Sequence, residues 1–340
     1  MRISHSLEEY ARAARHDSRQ GSHQGSRLGP HQGLRHAVTI GNFDGVHLGH
    51  RELIRVTREK AAGNGSPSVL VTFDPHPVHV VRGVGKPELI TPLPRKLELL
   101  EKTGIDHVLV LPFTASMAAM DAESFVRLVL VDALAVSDLV TGYNFALGRG
   151  RSGNLSTLRG LAEAYGFTVT QVQPVVVNGE TVSSSLVRGH IKTGELARAT
   201  ALLGRPHSVD GEVVHGQARG RKLGFPTANI AFPDMILPPL GAYAAWLRLL
   251  PDEKPRMSMT SVGTNPTFGG GSVTLEAHVL DFSGDLYGRT ARLYFMKRLR
   301  GEITFQGPEA LVQRLTQDAD AARDALRRNL LDEASGVLGL

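Results

Sequence analysis

Between residues 37 and 177, short apolar runs alternate with amphipathic segments. Apolar runs rich in β-branched residues, separated by helical patterns, are typical of a parallel sheet covered by helices. We therefore predict a doubly wound, parallel α/β domain, which binds ligands beyond the carboxyl ends of its strands. The predicted strands are Ala37–Ile40, Ser68–Phe73, His107–Leu111, Asp138–Gly142 and Thr168–Val177, and the predicted helices are Leu48–Ala62, Pro94–Thr103, Asp121–Ala133 with Asp121 as its N-cap, and Leu155–Tyr165.

The pattern changes near Leu203–Ser208, after which short strands follow one another with Gly and Pro between them. Closely spaced strands with such turns indicate an antiparallel β-barrel, here with one terminal helix. The predicted strands are Asp210–Val214, Gly241–Leu249, Met257–Val262, Val273–Asp281 and Thr290–Phe295, and the helix is Pro308–Arg328. We predict domains at 37–203 and 204–330, an N-terminal segment at 1–36 that is flexible over its Gly-, Ser-, Gln- and His-rich part 17–36, and a disordered tail at 331–340.

Composition restricts the function classes. The 340 residues include no cysteine, which excludes disulfides, thiolate nucleophiles and sulfur-based zinc sites. The net charge of +5 has no long block of like charges, so anionic small substrates are favoured over nucleic acid. No apolar run is long enough to cross a membrane, and the N-terminus carries acids where a signal peptide has an apolar core. We expect a cytoplasmic protein without membrane or nucleic-acid partners.

The segment Gly41–His50, GNFDGVHLGH, lies where the first strand ends and the first helix begins. Helix N-termini favour anions, and glycines let the backbone approach a phosphate closely. His47 and His50 are three residues apart and therefore share one helix face. Phosphate binding is the favoured interpretation; the alternatives are capping residues or metal ligands, for which Asp44 is the one further candidate nearby.

Two other segments have anion-binding chemistry. Val182–Arg188, VSSSLVR, offers hydroxyls and one arginine at a helix start, although three serines alone are more often a loop and N-cap. In Val214–Ile230, VHGQARGRKLGFPTANI, the glycines and basic residues predict a mobile phosphate-binding loop. The candidates there are Gly216, Gly220 and Lys222. The following Thr-Ala-Asn is, taken alone, an ordinary turn.

These motifs, with Thr72–Pro77 (TFDPHP) and Gly142–Gly148 (GYNFALG), resemble in order those of the prokaryotic bifunctional riboflavin kinase/FAD synthetase family. The resemblance implies a nucleotidylyltransferase-like first domain in which His47, His50 and Arg188 act on the ATP phosphates. Asn144 stands where the family often has Asp, so a flavin contact is implied but a carboxylate role is not. The further residues implied to bind ATP are Gly41, Phe43, Asp44, Gly45, Gly49, Ser184 and Ser185.

In the barrel, the same family resemblance rests on Pro226–Asn229 (PTAN), on Val273–Leu280 (VTLEAHVL) and on Leu299–Phe305 (LRGEITF). It implies that Thr227 and Asn229 hold Mg²⁺ and that Glu276 is the base. Without the resemblance, a lone acid in an apolar strand is more often a solvated, outward-facing residue. Arg300 and Glu302 are implied as flavin contacts.

The implied function is ATP-dependent phosphorylation of riboflavin to FMN, followed by adenylylation of FMN to FAD, with Mg²⁺. Two alternatives stay open at this point. A nucleotidylyltransferase for another phosphorylated substrate would leave the barrel motifs unexplained. A flavin- or nucleotide-binding regulatory protein would predict loss of the reactive side chains, which are all present.

Overall fold

A computed structural model describes residues 1–20, 35–82, 88–216, 219–251, 254–265 and 272–333. The chain divides into two compact units. The first consists of Met1–Pro87 and Leu93–Val182, and the second of Glu88–Pro92 and Ser183–Leu340.

The first unit contains a six-stranded parallel sheet, which confirms the predicted fold class. Its strands are β1 (Arg2–Ser4), β2 (His36–Ile40), β3 (Ser68–Asp74), β4 (His107–Pro112), β5 (Val136–Gly142) and β6 (Thr168–Val172). Its helices are α1 (Leu7–Gln20), α2 (Leu48–Gly63), α3 (Pro77–Arg82), α4 (Leu93–Glu101), α5 (Ala115–Ala119), α6 (Ala122–Phe125), which continues as a π-helix over Val126–Ala133, and α7 (Leu155–Tyr165). A small hairpin follows, made of β7 (Val176–Val177) and β8 (Glu180–Thr181).

The strand order β1-β4-β3-β2-β5-β6 indicates at which edge the sheet binds its ligand, here called the functional edge. From β2 the chain builds outward through β3 and β4 on one side, and then returns to add β5 on the other side. Such a reversal opens a crevice at the carboxyl ends of the two central strands. The segments that follow β2 and β5 therefore meet at the position where an α/β sheet binds its ligand.

The N-terminal residues belong to this sheet, whereas the sequence placed them in a separate segment. Strand β1 pairs in parallel with β4, and the Ser4 hydroxyl lies 2.9 Å from Nε2 of His107. Tyr10 on α1 is 2% exposed and packs on the same imidazole, with ring centroids 4.6 Å apart. Of the predicted flexible stretch 17–36, residues 17–20 are helical and 36 begins β2, while 21–34 lie outside the described residues.

The second unit is a closed antiparallel barrel of order β10-β13-β12-β11-β14-β9, as predicted. Its strands are β9 (His207–Val214), β10 (Ala228–Ala231), β11 (Gly241–Leu249), β12 (Arg256–Asn265), β13 (Ser272–Val279) and β14 (Thr290–Gly301). Its helices are α8 (Ser184–Thr193), α9 (Leu196–Leu203), α10 (Arg219–Lys222) and the terminal α11 (Pro308–Glu333). Strand β10 is an addition to the five predicted strands.

The compact units divide before α8, earlier than the predicted boundary at 203/204. The reason is that Leu196 of α9 is 3% exposed and packs into the barrel core with Val209 and Phe295. The boundary at 203/204 stays a prediction. At the other end, α11 continues to Glu333, and 334–340 lie outside the described residues. Within the described part of the chain, no helix combines the length and apolar character that crossing a bilayer requires.

Candidate active sites

The loop between β2 and α2 occupies the crevice of the first unit. It contains three residues with positive φ: Phe43 at 49°, Gly45 at 88° and Val46 at 40°. The left-handed region is unfavourable for residues other than glycine. Phe43 and Val46 are nevertheless 0% exposed and pack with Leu70 and Val108, so core contacts hold the loop in this conformation.

The two histidines of this loop lie together, as their spacing predicts. His47 caps α2 by accepting a hydrogen bond at Nδ1 from the backbone N–H of His50, over 3.2 Å. The rings stack with centroids 3.5 Å apart and an interplanar angle of 11°. Because Nδ1 of His47 is an acceptor, the neutral imidazole carries its proton on Nε2. Capping and phosphate binding are thus compatible: the capping atom is Nδ1, and Nε2 is the donor suited to an anion.

The remaining residues assigned to this loop have different surroundings. Asp44 is 1% exposed, and the Phe43 ring is part of the core beneath the loop. A Cβ added at Gly49 would lie 3.3 Å from the His47 ring, and one at Gly41 would lie 3.2 Å from the Phe43 ring. These glycines therefore leave room for the rings that shape the loop.

Asn144 follows β5, on the other side of the same crevice. Its side chain is exposed, and its backbone carbonyl accepts a hydrogen bond of 2.8 Å from Arg151. The structure thus brings Asn144 to the edge that also carries His47 and His50. Sequence reasoning missed Lys96 of α4, which is 6% exposed and donates to the carbonyl of Asn42 in the loop.

Ser184, Ser185 and Arg188 lie in the first turns of α8 in the second unit. The N-cap is Ser183, whose hydroxyl accepts from the backbone N–H of Leu186 over 3.3 Å. Ser185 is exposed. Nε of Arg188 donates to the carbonyl of Glu88 over 3.1 Å. This is the helix start that the sequence predicted, with hydroxyls and a guanidinium at its positive end.

Thr227, Asn229 and Glu276 come together on the barrel. Asn229 of β10 is paired directly opposite Glu276 of β13, so their side chains share one face. The Thr227 hydroxyl, two residues before Asn229, donates to Oε2 of Glu276 over 3.1 Å. Their neighbours Ala228 and Ala277 pack inside the barrel, so this face points outward. Glu276 is outward-facing yet only partly exposed, because it is held between polar neighbours.

The loop before β10 packs tightly against these side chains. A Cβ at Gly216 would lie 2.1 Å from Nδ2 of Asn229, and one at Gly220 would lie 2.2 Å from the carbonyl of Phe225. His278, which the sequence did not single out, donates from Nδ1 to the carbonyl of Pro226 over 2.8 Å. The backbone of Lys222 is in α10, and its side chain lies outside the described residues.

A cavity of about 510 Å³ adjoins Thr227. It is also lined by Arg221, Phe282, Asp285 and Tyr287. Its volume lies within the range of about 300–1,000 Å³ typical of small-molecule sites. Thr227 is therefore at the edge of a space large enough for a nucleotide or a flavin, and that space is lined by Ala228 and Ala277 rather than by Asn229 or Glu276.

The two predicted flavin contacts at the end of β14 differ in surroundings. Nε of Arg300 forms an ion pair of 2.8 Å with Asp318, whose side chain is 2% exposed, and its guanidinium lies 5.8 Å from the centre of the Phe305 ring. Glu302 is exposed. Arg300 thus connects this segment to α11 through a side chain that is only 15% exposed.

The donor set on the barrel is suited to Mg²⁺. The described residues contain no cluster of three His, Asp or Glu side chains that could hold a metal. Mg²⁺, however, prefers oxygen ligands and takes few of them from protein when phosphate and water complete its shell. The Thr227 hydroxyl, the Asn229 amide oxygen and the adjoining Glu276 carboxylate provide oxygen donors on one face.

Comparisons with known proteins give family matches to both parts of the chain. The FAD synthetase family model matches residues 30–186, and the riboflavin kinase family model matches residues 203–326. The bifunctional riboflavin kinase/FMN adenylyltransferase of Escherichia coli (strain K12) is 37% identical over 287 residues, covering 84% of this chain and 91% of that protein. Its counterpart in Listeria monocytogenes is 35% identical, covering 85% and 92%.

A solved structure, described as a macrolide-efflux protein from Streptococcus pneumoniae, superposes with a TM-score of 0.78 at 29% identity. It covers 86% of this chain and 95% of its own. The high coverage of both the relatives and this structure means that the similarity extends over both units. The chain therefore belongs to the family of bifunctional riboflavin kinase/FMN adenylyltransferases.

Proposed function

We propose that this chain phosphorylates riboflavin to FMN with ATP and then transfers AMP from a second ATP to FMN, giving FAD and pyrophosphate. The observation that carries the proposal is the contact between Thr227 and Glu276 opposite Asn229. A nucleotidylyltransferase for another substrate would not need this arrangement. Family membership supports the same pair of activities.

Riboflavin phosphorylation is assigned to the barrel. The ribityl hydroxyl of riboflavin is a poor nucleophile, so a base that accepts its proton accelerates attack by roughly 10²–10⁴-fold. Glu276 is that base: it takes the proton as the hydroxyl oxygen bonds to the γ-phosphorus of ATP, and ADP leaves. Thr227 and Asn229 would hold Mg²⁺, which neutralises phosphate charge when bound. The Thr227 hydrogen bond orients the carboxylate before substrate arrives.

FMN adenylylation is assigned to the first unit. The FMN phosphate is already an anion at neutral pH, so its oxygen can attack the α-phosphorus without a base, and pyrophosphate leaves. Catalysis then depends on positioning and on stabilising charge. His47 donates from Nε2 to the phosphates, and His50, stacked on it, adds a second imidazole at the start of α2. The assignment of Ser184, Ser185 and Arg188 to the same phosphates stays a prediction, as does the flavin contact of Asn144.

Flavin chromatography tests both activities. Purified protein is incubated with riboflavin, ATP and Mg²⁺, and the flavins are resolved over time. We expect FMN first and FAD later. FMN alone would contradict the adenylyl assignment, and Asn144 would be the first residue to exchange for Asp. Bound flavin without either product would support the regulatory alternative instead.

We further place the enzyme in the cytoplasm, because both reactions take ATP as donor, and we expect small molecules as its only partners. The net charge of +5 suits anionic substrates such as ATP and FMN. Filter binding with DNA and RNA tests this, since tight association that weakens steeply with salt would contradict it.

A further inference from the structure

Lys96 lies at a position of α4 where the helix otherwise presents leucine. Leu97 and Leu100 on the same helix pack into the core of the first unit, and Lys96, which directly precedes Leu97 and lies one turn before Leu100, is 6% exposed. Lysine is almost never buried to this extent unless it is paired. The burial of a lysine ammonium at the functional edge of the sheet therefore needs a structural or functional explanation.

The ammonium group is directed at the loop that carries the two histidines. Nζ of Lys96 donates to the carbonyl of Asn42 over 3.0 Å and lies 3.4 Å from the Thr72 hydroxyl. That hydroxyl in turn donates to the same carbonyl over 3.2 Å. Two donors from α4 and β3 thus fix the peptide group that joins Asn42 to Phe43.

The charges around Lys96 come from the same loop and from the end of β3. Burial lowers the pKa of Lys96, whereas the carboxylates of Asp44 and Asp74 act in the opposite direction and raise it. Asp44 is itself 1% exposed, in the loop two residues after Asn42. The ammonium form of Lys96 therefore provides a buried positive charge between the loop and the strand.

The loop needs such support. Directly after Asn42 the backbone adopts positive φ at Phe43, and it does so again at Gly45 and Val46 before His47 caps α2. Backbone held in this region is strained at residues other than glycine and persists only where surrounding contacts determine it. A displacement at Asn42 would be transmitted through these residues to the imidazoles.

We propose that Lys96 is a positioning residue for adenylyl transfer, which fixes the Asn42 peptide so that His47 and His50 face the ATP phosphates. The inference rests on the proposed assignment of FAD formation to this loop. Lys96 is 6% exposed, and its ammonium is directed at the Asn42 carbonyl and the Thr72 hydroxyl rather than at the surface. It acts through the loop, and the barrel activity of the same chain provides an internal measure of the amount of intact protein.

The first test compares Lys96→Met with Lys60→Met, which removes a lysine near the end of α2 whose side chain is 44% exposed. For Lys96→Met we expect kcat/KM for FAD formation to fall roughly 10²-fold, mainly through KM for ATP, because catalysis is sensitive to displacements near 1 Å. FMN formation should match that of Lys60→Met. An equal fall in FMN and FAD formation relative to Lys60→Met would indicate only a smaller amount of intact protein and would overturn the proposal.

Two further measurements keep the test decisive. Thr72→Val preserves the shape of the side chain while removing the hydroxyl that donates to the Asn42 carbonyl. It should therefore also raise KM for ATP, and this test remains even if Lys96→Met does not fold. Histidine-ring NMR of the full chain, assigned with His47→Gln and His50→Gln, reports the loop without any activity. Shifted resonances of both rings in the Lys96 or Thr72 variant support positioning, and unchanged ones overturn it. Absence of FAD synthesis in the unaltered chain would count against the proposed function alone.

Discussion

Beside Asn229, the barrel surface has no room for one more carbon atom. A Cβ at Gly216 would meet the Asn229 amide at 2.1 Å, and a contact under 3.0 Å forces a shift. We expect Gly216→Ala to displace Asn229 and to slow FMN formation by roughly 10²-fold, as displaced groups do. Flavin chromatography measures this. FAD formation from added FMN should be unchanged, and Gly160→Ala, where nothing lies within 4 Å, should alter neither step. Normal FMN formation by Gly216→Ala would contradict the role of Asn229.

His36 gives the first unit a predictable response to acid. Burial lowers its pKa, partly offset by its Nδ1 hydrogen bond of 2.7 Å to the carbonyl of Leu134. The unfolded state therefore binds a proton more readily than the folded state as the pH falls below the ordinary histidine value of about 6.5. The contribution of the neutral His36 to the free energy of unfolding is fully present above that pH. It is lost as the pH falls from that value through the lowered pKa.

We expect thermal unfolding of the first unit to shift to lower temperature as the pH is reduced through this window, with a smaller shift in His36→Gln. The His5→Gln variant is the control, because its side chain is exposed. Equal pH dependence in both variants would show that His36 does not control the response. Differential scanning calorimetry over a pH series makes the comparison.

The sequence indicated candidate reactive side chains, but it did not indicate the contacts that surround them. His47, His50 and Glu276 were singled out from spacing and family resemblance, because the chemistry requires those side-chain types, and their reactive roles stay predictions. The capping role of His47, the buried Lys96 and the His278 contact with Pro226 depend on partners distant in sequence. Lys96 carried one available signal: a charged residue in a helical row of leucines.

The terminal helix is attached to the barrel by a buried carboxylate. Asp318 of α11 has a 2% exposed side chain and pairs with Arg300 of β14, and Arg314 approaches its other oxygen at 3.1 Å. Removing one partner of a buried pair leaves an uncompensated charge and costs about 3–5 kcal/mol. We expect Asp318→Asn to lower stability by a value near that range and to raise KM for riboflavin through the 299–305 segment.

Urea unfolding monitored at the single tryptophan, Trp246 on β11, measures the stability change. Asp320→Asn is the matched control, since its carboxylate pairs with Arg323 but is 69% exposed. Exposed pairs contribute under about 1 kcal/mol. Equal effects of the two variants would contradict the structural role of Asp318.

Long elements with regular periodicity were predictable, and short ones were not. Helix α7 and strand β11 have the bounds that their patterns predict, Leu155–Tyr165 and Gly241–Leu249. Strands β1 and β10 have three and four residues, too few for periodicity to reveal, and they form because neighbouring strands offer hydrogen bonds. The π-helix after α6 likewise has no local signature, although its Asp121 cap was predicted and is confirmed.

At the scale of the whole molecule, two separate reactive sets imply separable activities. The His47→Ala, His50→Ala double variant should lose FAD formation while still converting riboflavin to FMN. Glu276→Ala should lose FMN formation while still converting added FMN to FAD. The physical reason is that each change removes groups from one compact unit only. Circular dichroism checks that each variant is folded. Loss of both activities in a folded variant whose substitutions lie in one unit only would contradict the two-site assignment.

Mixing these two variants extends the prediction to the intermediate. If FMN leaves the barrel and rebinds from solution, riboflavin, ATP and the mixture should give FAD after a lag that shortens as protein concentration rises. The lag follows because the FMN made by one molecule must reach a concentration near the KM of the other. Addition of excess unlabelled FMN to a reaction with isotopically labelled riboflavin should then dilute the label in FAD, both in the mixture and in the unaltered chain. Undiluted label in the unaltered chain would mean that FMN passes between the sites without release, and the activities would be separable by mutation yet coupled in turnover.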